Sequence, residues 1–409
     1  MKLLFIVLDG LGDRPIPEFE GKTPLEYANT PNMDKFASLG INGLLDVIAP
    51  GVTPGSDTAH LALFGVDPYE YYTGRGPFEA AGIGLEVKEG DIAFRTNFAT
   101  IDEKGIIKDR RAGRIKEGTD KLAELFSGME IDGIQIILEA GTEHRAALVL
   151  RGEGLSQNVS ENDPHVEGKE PLKFIPLDDS PEAQKTSRVL TTLAMKAENL
   201  LSNADLNKER IENELLPANY LLIRGAGKVP KVPNFEEEYC LETACIAGGG
   251  LYKGVGRMLG MHIIEDSMLT GGTNTDLKHK FELANKTLQN YDFVFVHVKG
   301  TDNLSHDGKP KEKKEFIEKV DKELSQFLPE NYKDDLVIMI TGDHSSPCSF
   351  KDHSADPVPI IIYSPDCRRD DVMKFGESYA AKGYLGHILG KHIMNIALNE
   401  MRLVHKFGA

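Results

Sequence analysis

The run LVIMITGDH (336–344) ends an apolar, β-branched stretch in a carboxylate and an imidazole, Asp343 and His344, with no spacer. Two other runs end alike. KLLFIVLDG (2–10) closes on Asp9, and FVFVHVKGTDNLSHDG (293–308) closes on Asp302, with His306 four residues later. Open α/β sheets bind ligands beyond the carboxyl ends of their strands. Mixed carboxylate and imidazole donors suit Mn²⁺, Co²⁺, Mg²⁺ or Zn²⁺ better than copper or an iron–sulfur cluster. His353, in SSPCSFKDHSADPVP (345–359), adds a further donor. One catalytic zinc takes about three protein ligands, so this set argues for two divalent ions. Taken singly, each residue has an ordinary explanation as a cap, loop or surface group. The same placement at three strand ends is what argues for metal.

A nucleophile stands in PGSDTAHLAL (54–63), where Ser56 follows a glycine at the expected start of a helix. A helix N-terminus presents N–H groups and a positive dipole end to a phosphate. A serine there also serves as an N-cap, and Thr53 and Thr58 are rival hydroxyls. Beside divalent metal, a serine oxygen becomes a strong nucleophile at neutral pH. Arginine forks suit carboxylate and phosphate. Arg110, Arg111 and Arg114 in KDRRAGRI and Arg145 beside His144 are candidates for substrate binding. Lys253 and Arg257 in GGGLYKGVGR, read as a glycine-rich loop outside any strand–turn–helix context, are two more. Asp163 and His165 in NDPHVEG are placed to move protons or to hold a loop. No GxxxxGK[ST] phosphate loop is present.

These residues need a scaffold. Residues 1–75 read as strand, helix (23–40), short strand (43–50) and helix. From 76 to 235 the texture becomes mixed α+β: a hairpin over 86–111, strands in GIQIILEAG and HRAALVLRG, and helices over 115–129 and 180–202. From 236 an α/β alternation resumes. Helices are expected at 276–290, 311–328 and 387–403, and strands at 293–298, 336–341 and 358–363. The expected organisation is therefore one domain of residues 1–75 plus 236–409, with 76–235 inserted.

Of the 409 residues, 40% are hydrophobic and 27% charged, as in a globular protein. The net charge of −17 argues against a nucleic-acid partner, which needs a basic face. An anionic small molecule stays compatible, because bound cations dominate a local field. Four cysteines at unrelated spacings fit neither a zinc ribbon nor a disulfide framework. With no secretory signal and no apolar run of membrane-spanning length, the expectation is a cytoplasmic protein without a membrane partner.

VLDGLGD (7–13), PGSDTAHLALFG (54–65), GRGPFEA (74–80), DRRAGR (109–114), EHRAAL (143–148), TDNLSHDG (301–308) and TGDHSSPCSFKDHSADPVP (341–359) together resemble the alkaline phosphatase superfamily. Within it they resemble the archaeal branch of the cofactor-independent phosphoglycerate mutases. That resemblance covers nearly the whole chain. It implies an α/β fold, with an alkaline-phosphatase-like three-layer α/β/α core and a smaller inserted α+β phosphotransferase domain. It implies Ser56 as nucleophile, one ion at Asp302, His306 and His353, and another at Asp9, Asp343, His344 and the Ser56 oxygen. It implies interconversion of 3-phosphoglycerate and 2-phosphoglycerate without 2,3-bisphosphoglycerate, in glycolysis and gluconeogenesis. Glycerate would stay trapped while phosphoserine forms. In the bacterial branch an Asn precedes the serine, with Glu and Gly in the residues after it; here Gly55, Asp57 and Ala59 hold those places. The same ligands would serve a metal-dependent phosphatase or another phosphomutase, or a non-catalytic metal-binding protein that had lost a ligand.

Overall fold

The computed structural model describes residues 1–332, 335–404, 406 and 408. The chain forms two compact units, Met1–Tyr72 with Val232–Ala409, and Thr73–Lys231.

The first unit is built on an eight-stranded sheet. Its strands run, edge to edge, His262–Ile263, Thr243–Ile246, Phe293–Val298, Lys2–Leu8, Leu336–Thr341, Val358–Tyr363, Ile41–Asp46 and Gly386–Leu389. Lys2–Leu8 lies parallel to both Phe293–Val298 and Leu336–Thr341. Val358–Tyr363 is antiparallel to both its neighbours. KLLFIVL shows no polar alternation because both faces of the strand are covered. Leu4, Ile6 and Leu8 pack with Val294, Val296, Ile338 and Ile340 against Phe36, Phe281, Phe316 and Val320 from the helices of one layer. On the opposite face, the Phe5 ring meets Phe64, Phe293 and Phe295. The result is a three-layer α/β/α core. Three neighbouring parallel strands run in one direction about 4.8 Å apart. Residues following their last positions are therefore delivered side by side.

The second unit has its own sheet. Ile92–Ile101 pairs antiparallel with Ile107–Asp109, Arg145–Arg151 and Tyr220–Gly227, and Arg145–Arg151 pairs with Ile134–Ala140. The helix Pro181–Asn203, capped by the Ser180 side chain on Ala183 N–H, lays Leu190, Leu193, Ala197 and Leu201 into a core with Phe94, Phe98, Leu148 and Ile223.

Several elements differ from the sequence reading. The 23–40 helix is two helices, Pro24–Tyr27 and Pro31–Leu39. Pro31 lacks an N–H and pushes Thr30 out of the helical region, to φ −123° and ψ 61°. The 115–129 helix shrinks to Thr119–Glu124, behind the left-handed Gly118. The hairpin begins at Ile92, not 86. The C-terminal helix begins at Ile393, because residues 386–389 are the sheet's last strand. GGGLYKGVGR is not a loop: Gly250–Met258 is a helix that follows the strand Thr243–Ile246. Tyr220–Gly227 and Thr243–Ile246 had no counterpart in the sequence reading. Among the described residues, no helix is long and apolar enough to cross a membrane.

Candidate metal centre and nucleophile

Asp9 follows the central strand directly, Asp343 follows one flanking strand after Gly342, and Asp302 lies in the helix Gly300–His306 after the other. Asp9, Asp343 and His344 bring one ligand atom each within 4.8 Å of one another, and Asp302, His344 and His353 do the same. His344 Nε2 lies 3.3 Å from Asp9 Oδ1 and 3.3 Å from Asp343 Oδ2. Asp302 Oδ1 lies 3.3 Å from His306 Nε2 and 3.7 Å from His353 Nε2. His306 Nδ1 donates to the Lys351 carbonyl, and His353 Nδ1 to the Pro54 carbonyl, which turns each Nε2 toward Asp302. The rings of His344 and His353 stack at 3.6 Å. The six expected carboxylate and imidazole ligands thus converge in the first unit, with His344 facing both groups.

The tautomer of His344 follows from its neighbours. Ser346 Oγ donates to Asp302 Oδ1, so His344 Nδ1–H donates to Ser346 and, in the neutral ring, Nε2 carries the lone pair. Asp9 Oδ1 and Asp343 Oδ2 are buried and accept no hydrogen bond among the described residues. Two orphaned, buried carboxylate oxygens beside an imidazole lone pair are costly in a protein interior. A divalent cation is the partner that suits them, so the donor set fits the implied metal.

The electrostatics agree. Burial, reinforced by the neighbouring Asp9 charge, pushes Asp343 up to about 7. Burial would also raise Asp9, but Lys299, His297 and His344 outweigh it and hold Asp9 well below the usual carboxylate range. The hydrogen bond to Asp302 lifts His306 to about 9.

Ser56 opens the helix Ser56–Leu63, and its Oγ lies 3.5 Å from His344 Nε2. It does not cap the helix: Gly55 is the N-cap and no side chain bonds there. Of the rival hydroxyls, Thr58 donates to the Gly55 carbonyl and Thr53 is exposed. His60, one turn on, donates Nδ1–H to the Ser56 carbonyl and is kept neutral by burial, its pKa pushed down to about 3.

Asp9 also has partners that the sequence reading missed. Tyr252, His297 and Lys299 all reach its Oδ2. Lys299 stood in a quoted motif, HVKGTD, but a lysine after a strand carries no distinguishing signal. Tyr252 lies in GGGLYKG immediately before Lys253, and a tyrosine there carries no distinguishing signal. Lys253 and Arg257 instead form ion pairs with Glu265, at 2.6 Å and 2.7 Å.

In the second unit, Arg110 grips Asp163 bidentately at 2.9 and 2.7 Å, and Arg224 pairs with the same carboxylate. His165, exposed and at φ 60°, bonds Glu161. Arg111, Arg114 and Arg145 are exposed. Burial, with the charges of Arg145, Arg111, Arg95 and Arg224, depresses His144 to about 4. Arg95 and Arg224, missed in the sequence, sit opposite each other on paired strands. Each directly follows an apolar run, which is no distinguishing signal.

A family model for 2,3-bisphosphoglycerate-independent phosphoglycerate mutase matches residues 37–207. The enzyme of that name from Methanobrevibacter smithii is 50% identical over 414 aligned positions, covering 100% of both chains. One from Archaeoglobus fulgidus is 49% identical, again over 100% of both. Among solved structures, a Pyrococcus horikoshii protein superposes with a TM-score of 0.86 at 40% identity, over 100% of this chain and 99% of that one. A cofactor-independent phosphoglycerate mutase from Thermoplasma acidophilum gives 0.72 at 37% identity, over 98% and 99%. Likeness of this extent, end to end in sequence and in fold, places the chain in the family of 2,3-bisphosphoglycerate-independent phosphoglycerate mutases.

Proposed function

We propose that this enzyme interconverts 3-phosphoglycerate and 2-phosphoglycerate through a phosphoserine at Ser56, and that it serves glycolysis and gluconeogenesis. The observation that carries the reading is the 3.5 Å approach of Ser56 Oγ to His344 Nε2, the imidazole atom that also faces Asp9 and Asp343. Asp9, Asp343 and His344 would hold one ion, and Asp302, His306 and His353 the other. Two divalent ions, when bound, ionise a serine hydroxyl at neutral pH and neutralise charge on the transferring phosphoryl group. Ser56 sits at the positive end of its helix, where a phosphoryl anion is favoured. Its Oγ–phosphorus bond forms as the ester bond to glycerate breaks. The other glycerate hydroxyl then takes the group back and frees the serine. Arg111 and Arg145, exposed and with charges that bear on His144, suit a carboxylate by charge. Retention of glycerate between the two transfers separates a mutase from a phosphatase.

The test is an assay of metal-stripped protein on 3-phosphoglycerate without 2,3-bisphosphoglycerate. Mn²⁺, Co²⁺, Mg²⁺ or Zn²⁺ is restored, and 2-phosphoglycerate and free phosphate are followed. Metal-dependent 2-phosphoglycerate with little phosphate is expected. Phosphate release alone would keep the metal centre and replace the mutase by a phosphatase.

A further inference from the structure

Asp9 and Asp302 share an asymmetry. In each, Oδ1 faces the imidazoles of a ligand group, while Oδ2 is held by other residues. Asp9 Oδ2 lies 2.5 Å from Tyr252 Oη, 3.1 Å from His297 Nε2 and 3.0 Å from Lys299 Nζ. Asp9 Oδ1 accepts nothing among the described residues and points at His344. Asp302 Oδ2 is bonded by Lys299 Nζ at 2.9 Å, whereas its Oδ1 faces His306 and His353 and accepts from Ser346 Oγ at 3.0 Å. One ammonium therefore restrains both carboxylates. It is fixed in turn by Tyr252 Oη at 3.0 Å.

The fold makes this layer. His297 is in register with Val7, two residues before Asp9 on the adjacent parallel strand, and Lys299 follows two residues later. Tyr252 arrives on the helix Gly250–Met258, and its ring stacks on His297 with centroids 3.5 Å apart at 22°. Gly249 leaves room for that ring: a Cβ at this position would meet Tyr252 Cδ2 at 2.8 Å. Tyr252 and His297 are 3% and 1% exposed, so neither is a surface residue that happens to lie nearby.

Groups that hydrogen-bond the non-ligating atom of a metal-binding carboxylate set which atom binds and how firmly it is placed. We propose that Tyr252, His297 and Lys299 commit Asp9 to ligation through Oδ1 alone, and that Lys299, by restraining Asp302 in the same way, couples the two ion sites. They are positioning residues. The inference rests on the two-ion reading above and deepens it.

The experiment is calorimetric titration of metal-stripped protein with Mn²⁺, with free ion followed by electron paramagnetic resonance and folding by circular dichroism. The wild-type chain should bind two ions. Tyr252→Phe keeps ring and charge and removes two hydrogen bonds, the one to Asp9 Oδ2 and the one from Lys299 Nζ. It should weaken the ion at Asp9 about 10- to 100-fold and the other ion less, through Lys299. Lys299→Met should weaken both; Lys299→Gln, which keeps N–H donors, replaces it if the methionine variant does not fold. Wild-type affinity for both ions in folded Tyr252→Phe would overturn the proposal. Tighter binding in a Lys299 variant would overturn it too, because the lysine would then be a rival cation. A change at one site only in the Lys299 variant would overturn the coupling. A wild-type chain that binds no Mn²⁺ would instead overturn the two-ion reading.

Discussion

At the residue scale, what matters is which atom of each side chain is committed and which is left over. Ser56 is partly exposed and caps nothing, so Ser56→Ala should fold with stability within about 1 kcal/mol of wild type. If the proposed phosphoserine forms there, it should lose mutase activity by at least about a thousandfold. Denaturation and a direct 2-phosphoglycerate assay check both halves. His144 carries a different prediction. Its folded-state pKa of about 4 lies below its ordinary value, so the unfolded chain protonates first as pH falls. Both states are neutral above the ordinary histidine value near pH 6.5. Stability is then lost between that pH and about 4. His144→Asn should therefore lose less melting temperature than wild type across this window, measured in buffers of constant ionic strength.

At the element scale, strands aim the clustered carboxylates and imidazoles, and buried polar clamps hold the loops that carry them. Lys313, on the helix Pro310–Leu324, donates at 3.0 Å to Asp13 and also to the carbonyls of Gly12 and Ser346. Asp13 in turn accepts from Arg14 N–H and Cys348 N–H. The segment after Asp9 is thereby tied to the segment after His344, and both charged side chains are fully buried. Lys313→Met leaves a buried carboxylate unpaired and should cost about 3–5 kcal/mol in urea denaturation. Asp13→Asn combined with Lys313→Met should cost less than the single change. Gly10, at φ 64°, makes the turn between them, and a Cβ there would come within 2.8 Å of Ser346 Oγ.

At the scale of the whole molecule, the inserted unit leaves and rejoins the chain at neighbouring points. Thr73 Oγ1 donates to the Lys228 carbonyl at 2.5 Å. With its own sheet and apolar core, the unit meets the requirements of an independent domain. Residues 73–231 expressed alone should melt cooperatively, at a temperature unmoved by a chelator. The full chain reconstituted with Mn²⁺ should lose melting temperature on chelation, because an ion that binds only the folded state stabilises it.

Much was legible in local pattern. Apolar strands covered on both faces read as continuous hydrophobic runs, so the three strands that lead to Asp9, Asp302 and Asp343 showed in the linear sequence. So did the change of texture at the insert, because alternation at period two differs from the runs of a parallel sheet. The place of Ser56 at a helix start was legible through its glycine. The tertiary structure alone decided which carboxylate oxygen faces which imidazole, since those contacts join residues about 300 positions apart. It also decided that Lys253 and Arg257 pair with Glu265 while Tyr252, the residue just before Lys253, reaches Asp9. Successive residues on a helix point about 100° apart, so neighbours in one motif meet different partners. Only the packing of the helix on the sheet selects which of them turns inward.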